Sequence, residues 1–230
     1  MISLMRAYLI ILLFLCASLQ AVTLKDRVLA AEVGDYVVTE QAKNYSLLLI
    51  RQKSADRLVL EEISTPQHQT SWKKWVEERA PGATSWVVYE IDLKADKLLD
   101  SYSFTQNGWL YMEEGSHFLT KLLTLPLKKV ERAERKRIGP APLAGEDDRR
   151  SVWMPQAEAF QTKWPEDNSR ISASKIDVYF TASPFPTWIE VHEGHYDFKI
   201  RALETGKGLE SPRKMVPKRP PQSPREKAHL

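Results

Sequence analysis

The chain has 230 residues, a formal net charge of +3 and a single cysteine. This length is sufficient for one domain with a sizeable core of its own, and one cysteine, Cys16, excludes an intramolecular disulfide. The basic excess belongs to the C-terminal end, because residues 22–210 have 26 basic and 29 acidic residues, a net charge of −3.

Residues 1–21 have the pattern of a secretory signal peptide. Arg6 precedes an apolar run from Ala7 to Leu19, and Leu19-Gln20-Ala21 fits a cleavage site. The run is shorter than the roughly 20 residues that a membrane-spanning helix needs. We therefore expect export with cleavage after Ala21, and retention of the segment as an anchor is the alternative. Without cysteine, the mature chain fits a bacterial periplasm or cell envelope.

The first part of the mature chain changes from a helical to a strand pattern. Residues 24–31 have helical spacing, and Gly34 predicts a turn after them. Three β-rich segments follow at 35–41, 45–52 and 57–64, separated by short polar loops. This spacing predicts an antiparallel meander.

A predicted helix at 70–79 carries two tryptophans on one face. Trp72 and Trp75 are three positions apart, and Pro81-Gly82 ends the pattern. Such a pair can form a platform on which a sugar stacks. It is more typical of the buried face of a helix that lies on a sheet, and we favour that interpretation.

A second meander and a second helix follow. Strand patterns occupy 85–93, 97–105 and 109–112, and Asn107-Gly108 is a strong hairpin signal. The helix predicted from Ser116 to Leu125 has a broad apolar stripe, which indicates burial on one side. The stripe consists of Phe118, Leu119, Leu122 and Leu123.

The segment 128–156 is charged at first and then rich in proline and glycine. It could begin as an edge strand, and from Ile138 it has the composition of a long loop. Arg149-Arg150, which follows Asp147-Asp148, could bind an acidic group. Charge pairing within the loop is the alternative that we favour.

The closing strands, predicted at 175–182, 187–192 and 195–203, include two histidines near a hairpin turn. If Glu193-Gly194 is a two-residue loop, His192 pairs with His195 and Glu190 pairs with Asp197. These four residues could form a zinc or other divalent metal site. We favour an exposed hairpin tip without metal, because no other segment supplies a clear further ligand. The opposite face carries Ile189, Val191, Tyr196 and Phe198, which we expect to be structural.

The familiar catalytic motifs are missing from the sequence. It has no nucleophile elbow, no phosphate-binding glycine loop and no His-Glu-x-x-His motif, and the predicted mature chain has no cysteine. These absences favour a protein that is not an enzyme and needs no cofactor.

The C-terminal segment 211–230 has the composition of a disordered tail. It has six lysine or arginine residues, five prolines and one acidic residue. Such a segment cannot bury enough apolar surface to fold. A sharper alternative is electrostatic attachment to an anionic envelope surface, and export makes nucleic acid the weakest partner.

Together these elements predict an α+β fold in one domain at 22–210. We expect a curved, half-barrel-like antiparallel sheet of eight or nine strands, with two helices packed on its concave face. In the order of its elements and its tryptophan-rich meanders, residues 24–210 resemble the half-barrel lipoprotein carriers of the LolA type. That resemblance implies transport of lipids or acylated proteins across the periplasm.

The expected function is binding of a hydrophobic ligand, a lipid or an acylated partner, between the sheet and the helices. Many aromatic and apolar residues in an exported chain without catalytic motifs favour it. Candidate ligand-binding residues are Trp72, Trp75, Phe118 and Leu122. One alternative is a structural or protein-interaction module of the cell envelope. Another is a metal-dependent hydrolase that uses the 190–197 hairpin.

Overall fold

A computed structural model describes residues 22–41, 43–80, 85–105, 108–111, 116–130, 157–193 and 196–211. The helices are α1 (Leu24–Leu29), α2 (Trp72–Glu77) and α3 (Ser116–Thr124), with a short 3-10 helix at Gln67–Gln69. The strands are β1 (Val22–Thr23), β2 (Tyr36–Gln41), β3 (Asn44–Lys53), β4 (Arg57–Pro66), β5 (Ser85–Asp92), β6 (Lys97–Thr105), β7 (Gly108–Tyr111), β8 (Pro126–Lys129), β9 (Glu158–Lys163), β10 (Lys175–Phe180), β11 (Trp188–Glu193) and β12 (Tyr196–Gly206).

The predicted signal peptide, the double arginine of the long loop and nearly all of the basic tail lie outside these described residues. Within them, no helix is long and apolar enough to cross a membrane.

All the strands belong to one open antiparallel sheet, in the order β1-β8-β9-β10-β11-β12-β2-β3-β4-β5-β6-β7. The chain forms the meander from β2 to β7, and then returns through β8 to β12 so that β12 pairs with β2. The predicted sheet-rich α+β class and antiparallel pairing are therefore confirmed.

Within the described residues the sheet has 12 strands, so the prediction of eight or nine was too low. The strands absent from that count are β1, β8 and β9. β1 is only two residues long. β8 includes the start of the charged segment, but it pairs with β1 and with β9, so the suggested edge position was wrong. β9 was missed because Phe160 is its one large apolar residue, so the apolar alternation is weak.

The sheet packs on both of its faces. We call the face that carries Val37, Leu60 and Phe160 the inner face, and the face that carries Val38, Val59 and Trp86 the outer face. The buried cluster of the inner face contains residues from β4 and β5 and also from β9 and β10. Strands that are distant in the sheet order thus share one core, because the sheet curves around it.

The helices divide between the two faces. Leu24 and Val28 of α1 and Leu123 of α3 belong to the inner cluster, whereas Trp72 and Trp75 of α2 belong to the outer cluster. The prediction that α2 and α3 pack on one face was therefore wrong. Each helix has one apolar stripe, and a stripe does not indicate which side of a sheet it will cover.

Local contacts fix α1 at the inner face. Thr23 and Asp26 form a capping box at its first turn. Lys53 of β3 donates hydrogen bonds to the carbonyl oxygens of Leu29, the last residue of α1, and of Ala31, just beyond it. A cation at this end of a helix satisfies free carbonyl groups and complements the helix dipole.

Candidate functional site on the inner face

The described apolar side chains of the inner face pack against one another. Their cluster includes Trp164, Phe180 and Phe185, each no more than 2% exposed. Between α3 and the sheet a cavity of about 10 Å³ is lined by Lys25, Ile91, Leu93, Asp96, Thr120, Leu123 and Thr124. Such a volume has room for about one water molecule, whereas ligand pockets measure about 300–1,000 Å³.

The structure separates the predicted ligand-binding residues. Trp72 and Trp75 lie in the outer cluster, and Trp75 is 1% exposed. Leu122 packs against the inner cluster on the other side of the sheet. Phe118 is in α3, but its side chain is not among those described. The residues described do not form one binding surface, and their role in ligand binding stays a prediction.

The predicted metal hairpin has a different register from the expected one. His192 pairs with Asp197 and Glu190 pairs with Lys199, because Glu193 and Tyr196 form the last pair before the turn. The predicted pairing of His192 with His195 was therefore wrong. Gly194 and His195 lie outside the described residues. As predicted, Ile189 and Val191 contact the inner core.

His192 has a partner on the neighbouring strand. Its Nε2 lies 3.0 Å from Oδ2 of Asp177, a carboxylate that is almost fully buried. Lys175 lies 3.8 Å from the other oxygen of Asp177, and Lys199 lies 3.3 Å from Glu190. Within the described ranges no three histidine, cysteine or acidic side chains could hold a metal ion together. These side chains of β10, β11 and β12 are therefore connected by ion pairs and hydrogen bonds.

A polar strip continues the inner face beyond its apolar part. Thr39, Ser46, Ser64 and Ser85 lie directly opposite one another across β2, β3, β4 and β5. In the next row Glu62 pairs with Val87, which pairs with Ser103 of β6. The inner-face position follows from alternation with Val37, Leu60 and Ile91. We call Thr39, Ser46, Glu62, Ser64, Ser85, Tyr89 and Ser103 the hydroxyl strip.

Hydrogen bonds organise the middle of the hydroxyl strip. The hydroxyl oxygens of Ser46 and Ser64 are 2.6 Å apart, and Thr39 donates to the carbonyl oxygen of Ser46 at 3.3 Å. Apart from the exposed Ser85, all the members are half-buried. The strip is thus a polar surface that keeps contact with solvent next to a filled apolar core.

Glu62 is the charged group of the hydroxyl strip. The hydroxyl of Tyr89 donates to Glu62 Oε2 at 3.2 Å. Burial raises the pKa of Glu62 above its usual value, and the hydrogen bond from Tyr89 only partly opposes this. Burial and the carboxylate beside it also raise the pKa of Tyr89. A carboxyl group with a raised pKa in a concave surface is a candidate functional group.

The neighbouring Glu61 points to the outer face and is compensated there. Its side chain is fully buried, and Arg51 Nη1 lies 3.2 Å from Oε1. The same nitrogen of Arg51 donates to Ser211 Oγ at 2.7 Å. Burial raises the pKa of Glu61, whereas Ser211 and Arg51 lower it. Glu61 is therefore part of a structural network that holds the end of the described chain.

The C-terminal segment after β12 is held against the outer face. Leu209 packs on the outer cluster, and its backbone N–H donates to the carbonyl oxygen of Gly34 at 3.1 Å. Gly34 has a φ of 91°, and a Cβ there would lie 3.0 Å from the backbone of Gly208. Glycine is therefore required for this close approach. The basic tail follows directly after this attached segment.

Sequence reasoning missed Glu62, although the signal for it was present. The strand segment RLVLEEIS places two glutamates side by side between apolar residues. Since neighbouring residues of a strand point to opposite faces, one of the two must face each side of a sheet that is buried on both. Such a pair predicts one unusual carboxylate on each face.

The fold defines the class of the protein: a curved antiparallel sheet with helices on both faces. The chain belongs to the CT021 protein family, whose model matches residues 46–160. All members of the hydroxyl strip except Thr39 lie in that range. A comparison with curated proteins gave no match.

A solved structure supports the fold over most of the chain. It is the structure of the hypothetical protein CT021 from Chlamydia trachomatis, with a TM-score of 0.66 and 21% sequence identity. The match covers 86% of this chain and 98% of the other. At this identity the similarity concerns the fold alone. Neither match is a LolA-type carrier, so the comparisons lend that resemblance no support.

Proposed function

We propose that this chain is a non-catalytic binding module of the cell envelope, which recognises a partner through the polar part of its inner face. The proposal rests on the division of that face into an apolar part and a polar part. Its apolar part is filled by side chains of α1, α3 and the strands, while the hydroxyl strip keeps contact with solvent. A long acyl chain would have to displace this core, whereas a polar partner would not.

The envelope location rests on the N-terminal sequence alone. A signal-peptide pattern that ends at Ala21 and the absence of cysteine from residues 22–230 support export. Cell fractionation followed by N-terminal sequencing tests this part of the proposal. A mature protein that begins at Val22 in the periplasmic or envelope fraction is expected, and a full-length protein in the cytosol would contradict it.

The expectation of a hydrophobic ligand is the competing function, and a fluorescent fatty acid distinguishes the two. The purified mature protein is titrated with a dansyl-labelled fatty acid, with serum albumin as a positive control. We expect no saturable increase in fluorescence, because the described apolar side chains of the inner cluster are buried against one another. Stoichiometric binding that a natural lipid displaces would contradict an interaction module and support a carrier.

A further inference from the structure

The hydroxyl strip contains a carboxylate that the described part of the chain leaves without a cation. No lysine or arginine among the described residues forms an ion pair with Glu62, and none of them contributes to its pKa shift. Its described partner is the neutral hydroxyl of Tyr89. Other carboxylates of the sheet have cations nearby, as Glu61 has Arg51 and Glu158 has Arg27 and Lys129.

An uncompensated carboxylate in a half-buried position is costly for folding. Removing a charge from water costs free energy, and a paired cation normally offsets part of that cost. Leucine at this position would extend the neighbouring core of Leu48 and Leu60. A half-buried charge that is kept at a cost in stability, beside a row of hydroxyl groups, is a candidate for a role in binding.

We propose that the hydroxyl strip binds an organic ammonium group, with the nitrogen held by Glu62 and Tyr89 and the polar remainder of the ligand along Ser64 and Ser46. This inference rests on the proposed function, since it names the chemistry of the partner of the same surface. An ammonium group supplies the positive charge that the described residues do not place beside Glu62. It also carries N–H donors, and the carboxylate of Glu62 can only accept hydrogen bonds.

The surroundings of Glu62 fit this ligand better than two others. A divalent metal ion prefers several oxygen or nitrogen ligands, and the described residues contain no group of three candidate side chains. An acyl chain gains nothing from a carboxylate and a row of hydroxyl groups. The ring of Tyr89 can add a cation–π contact to the ion pair.

The test uses ethanolammonium as the probe and ethylene glycol as its uncharged control. The mature protein is labelled with ¹³C at the glutamate carboxyl carbons, and each compound is titrated at constant ionic strength while NMR spectra are recorded. We expect ethanolammonium to shift the Glu62 resonance with saturation below about 100 mM and to lower the pKa of Glu62. Ethylene glycol should cause no saturable shift.

Two variants distinguish binding of the ammonium group at Glu62 from nonspecific attraction of a cation to the protein surface. Glu62→Gln keeps the shape and removes the charge, and it should reduce the affinity for ethanolammonium at least tenfold. Glu90→Gln is the matched control, because Glu90 is on the outer face and pairs with Arg57. It should leave the affinity unchanged. Binding of both probes with equal affinity, or unchanged affinity in Glu62→Gln, would overturn the inference.

The wild-type titration alone keeps the inference falsifiable if a variant does not fold. Absence of any saturable shift with ethanolammonium overturns the ammonium site and leaves a binding module for another polar partner. Stoichiometric binding of the fatty acid instead overturns the proposed function. The two failures are therefore distinguishable.

Discussion

Glu61 and Glu62 are neighbours in β4 with different surroundings. Glu61 is fully buried on the outer face and pairs with Arg51, whereas Glu62 faces inward and is bonded to Tyr89. Both carboxyl groups have raised pKa values because burial disfavours their charge. The pair of Glu61 and Arg51 stabilises the fold, and Glu62 is the carboxylate that we assign to binding.

Replacing Arg51 with methionine should destabilise the protein strongly. The variant leaves the buried Glu61 carboxylate without its cation, and breaking such a pair typically costs about 3–5 kcal/mol. The double variant Arg51→Met with Glu61→Met should recover most of the loss, since both charges are absent. Urea unfolding at neutral pH measures these differences. A single variant within about 0.5 kcal/mol of wild type would show that the pair contributes little.

Replacing Glu62 with glutamine should stabilise the protein at neutral pH. Because the folded-state pKa of Glu62 lies above its unfolded value, the folded state binds the proton more tightly, and wild-type stability falls as pH rises through the folded pKa. The Glu62→Gln variant does not lose stability in this way, because its side chain does not ionise. Urea midpoints between about pH 4 and pH 8 should diverge towards neutral pH, with the variant higher. A variant that is less stable at neutral pH would argue against an uncompensated charge.

Replacing His192 with alanine should be more costly than an ordinary surface substitution. It removes the hydrogen bond to the buried Asp177, and a buried polar group without its partner costs about 1–3 kcal/mol. Adding Asp177→Asn should restore part of the stability. We also expect added zinc to leave the wild-type unfolding midpoint unchanged. An increase with zinc that His192→Ala abolishes would restore the metal hypothesis.

At the scale of elements, the apolar periodicity of the sequence predicted which segments form strands and helices. It predicted less well the register of the strands and the sheet face that each helix covers. The segment YSLLLIRQ has strand alternation, and it forms most of β3. The sequence EAFQTK has only Phe160 as a large apolar residue, so β9 was not recognised. The hairpin register was wrong because Glu193-Gly194 and Gly194-His195 are both plausible two-residue loops. Which face each helix covers depends on packing between distant strands, which local spacing does not record.

The placement of α2 on the outer face predicts a structural role for Trp75. Its side chain is 1% exposed, and truncation of such a residue to alanine typically costs about 3–5 kcal/mol. Lys74→Ala on the exposed side of the same helix is the control and should change stability by less than about 0.5 kcal/mol. Denaturant melts compare the two variants. A small effect at Trp75 would favour the ligand platform that the tryptophan pair also suggests.

At the scale of the whole molecule, one curved sheet combines a buried apolar core with the hydroxyl strip. The inner cluster joins strands from both halves of the sheet, so the core holds the curvature that positions the hydroxyl strip. The outer face carries α2 and also Leu209 and Ser211 of the segment after β12. A partner on the inner face would therefore not compete with contacts of the outer face.

Native mass spectrometry of the protein purified from the cell envelope without detergent exchange tests the central claim most directly. The account predicts a mature chain that begins at Val22 and carries no lipid, because its apolar core is occupied by its own side chains. Organic extraction of the same sample should yield no stoichiometric acyl species. A lipid adduct at one per chain, lost when the core is mutated and kept in Glu62→Gln, would contradict the account and identify a lipid carrier.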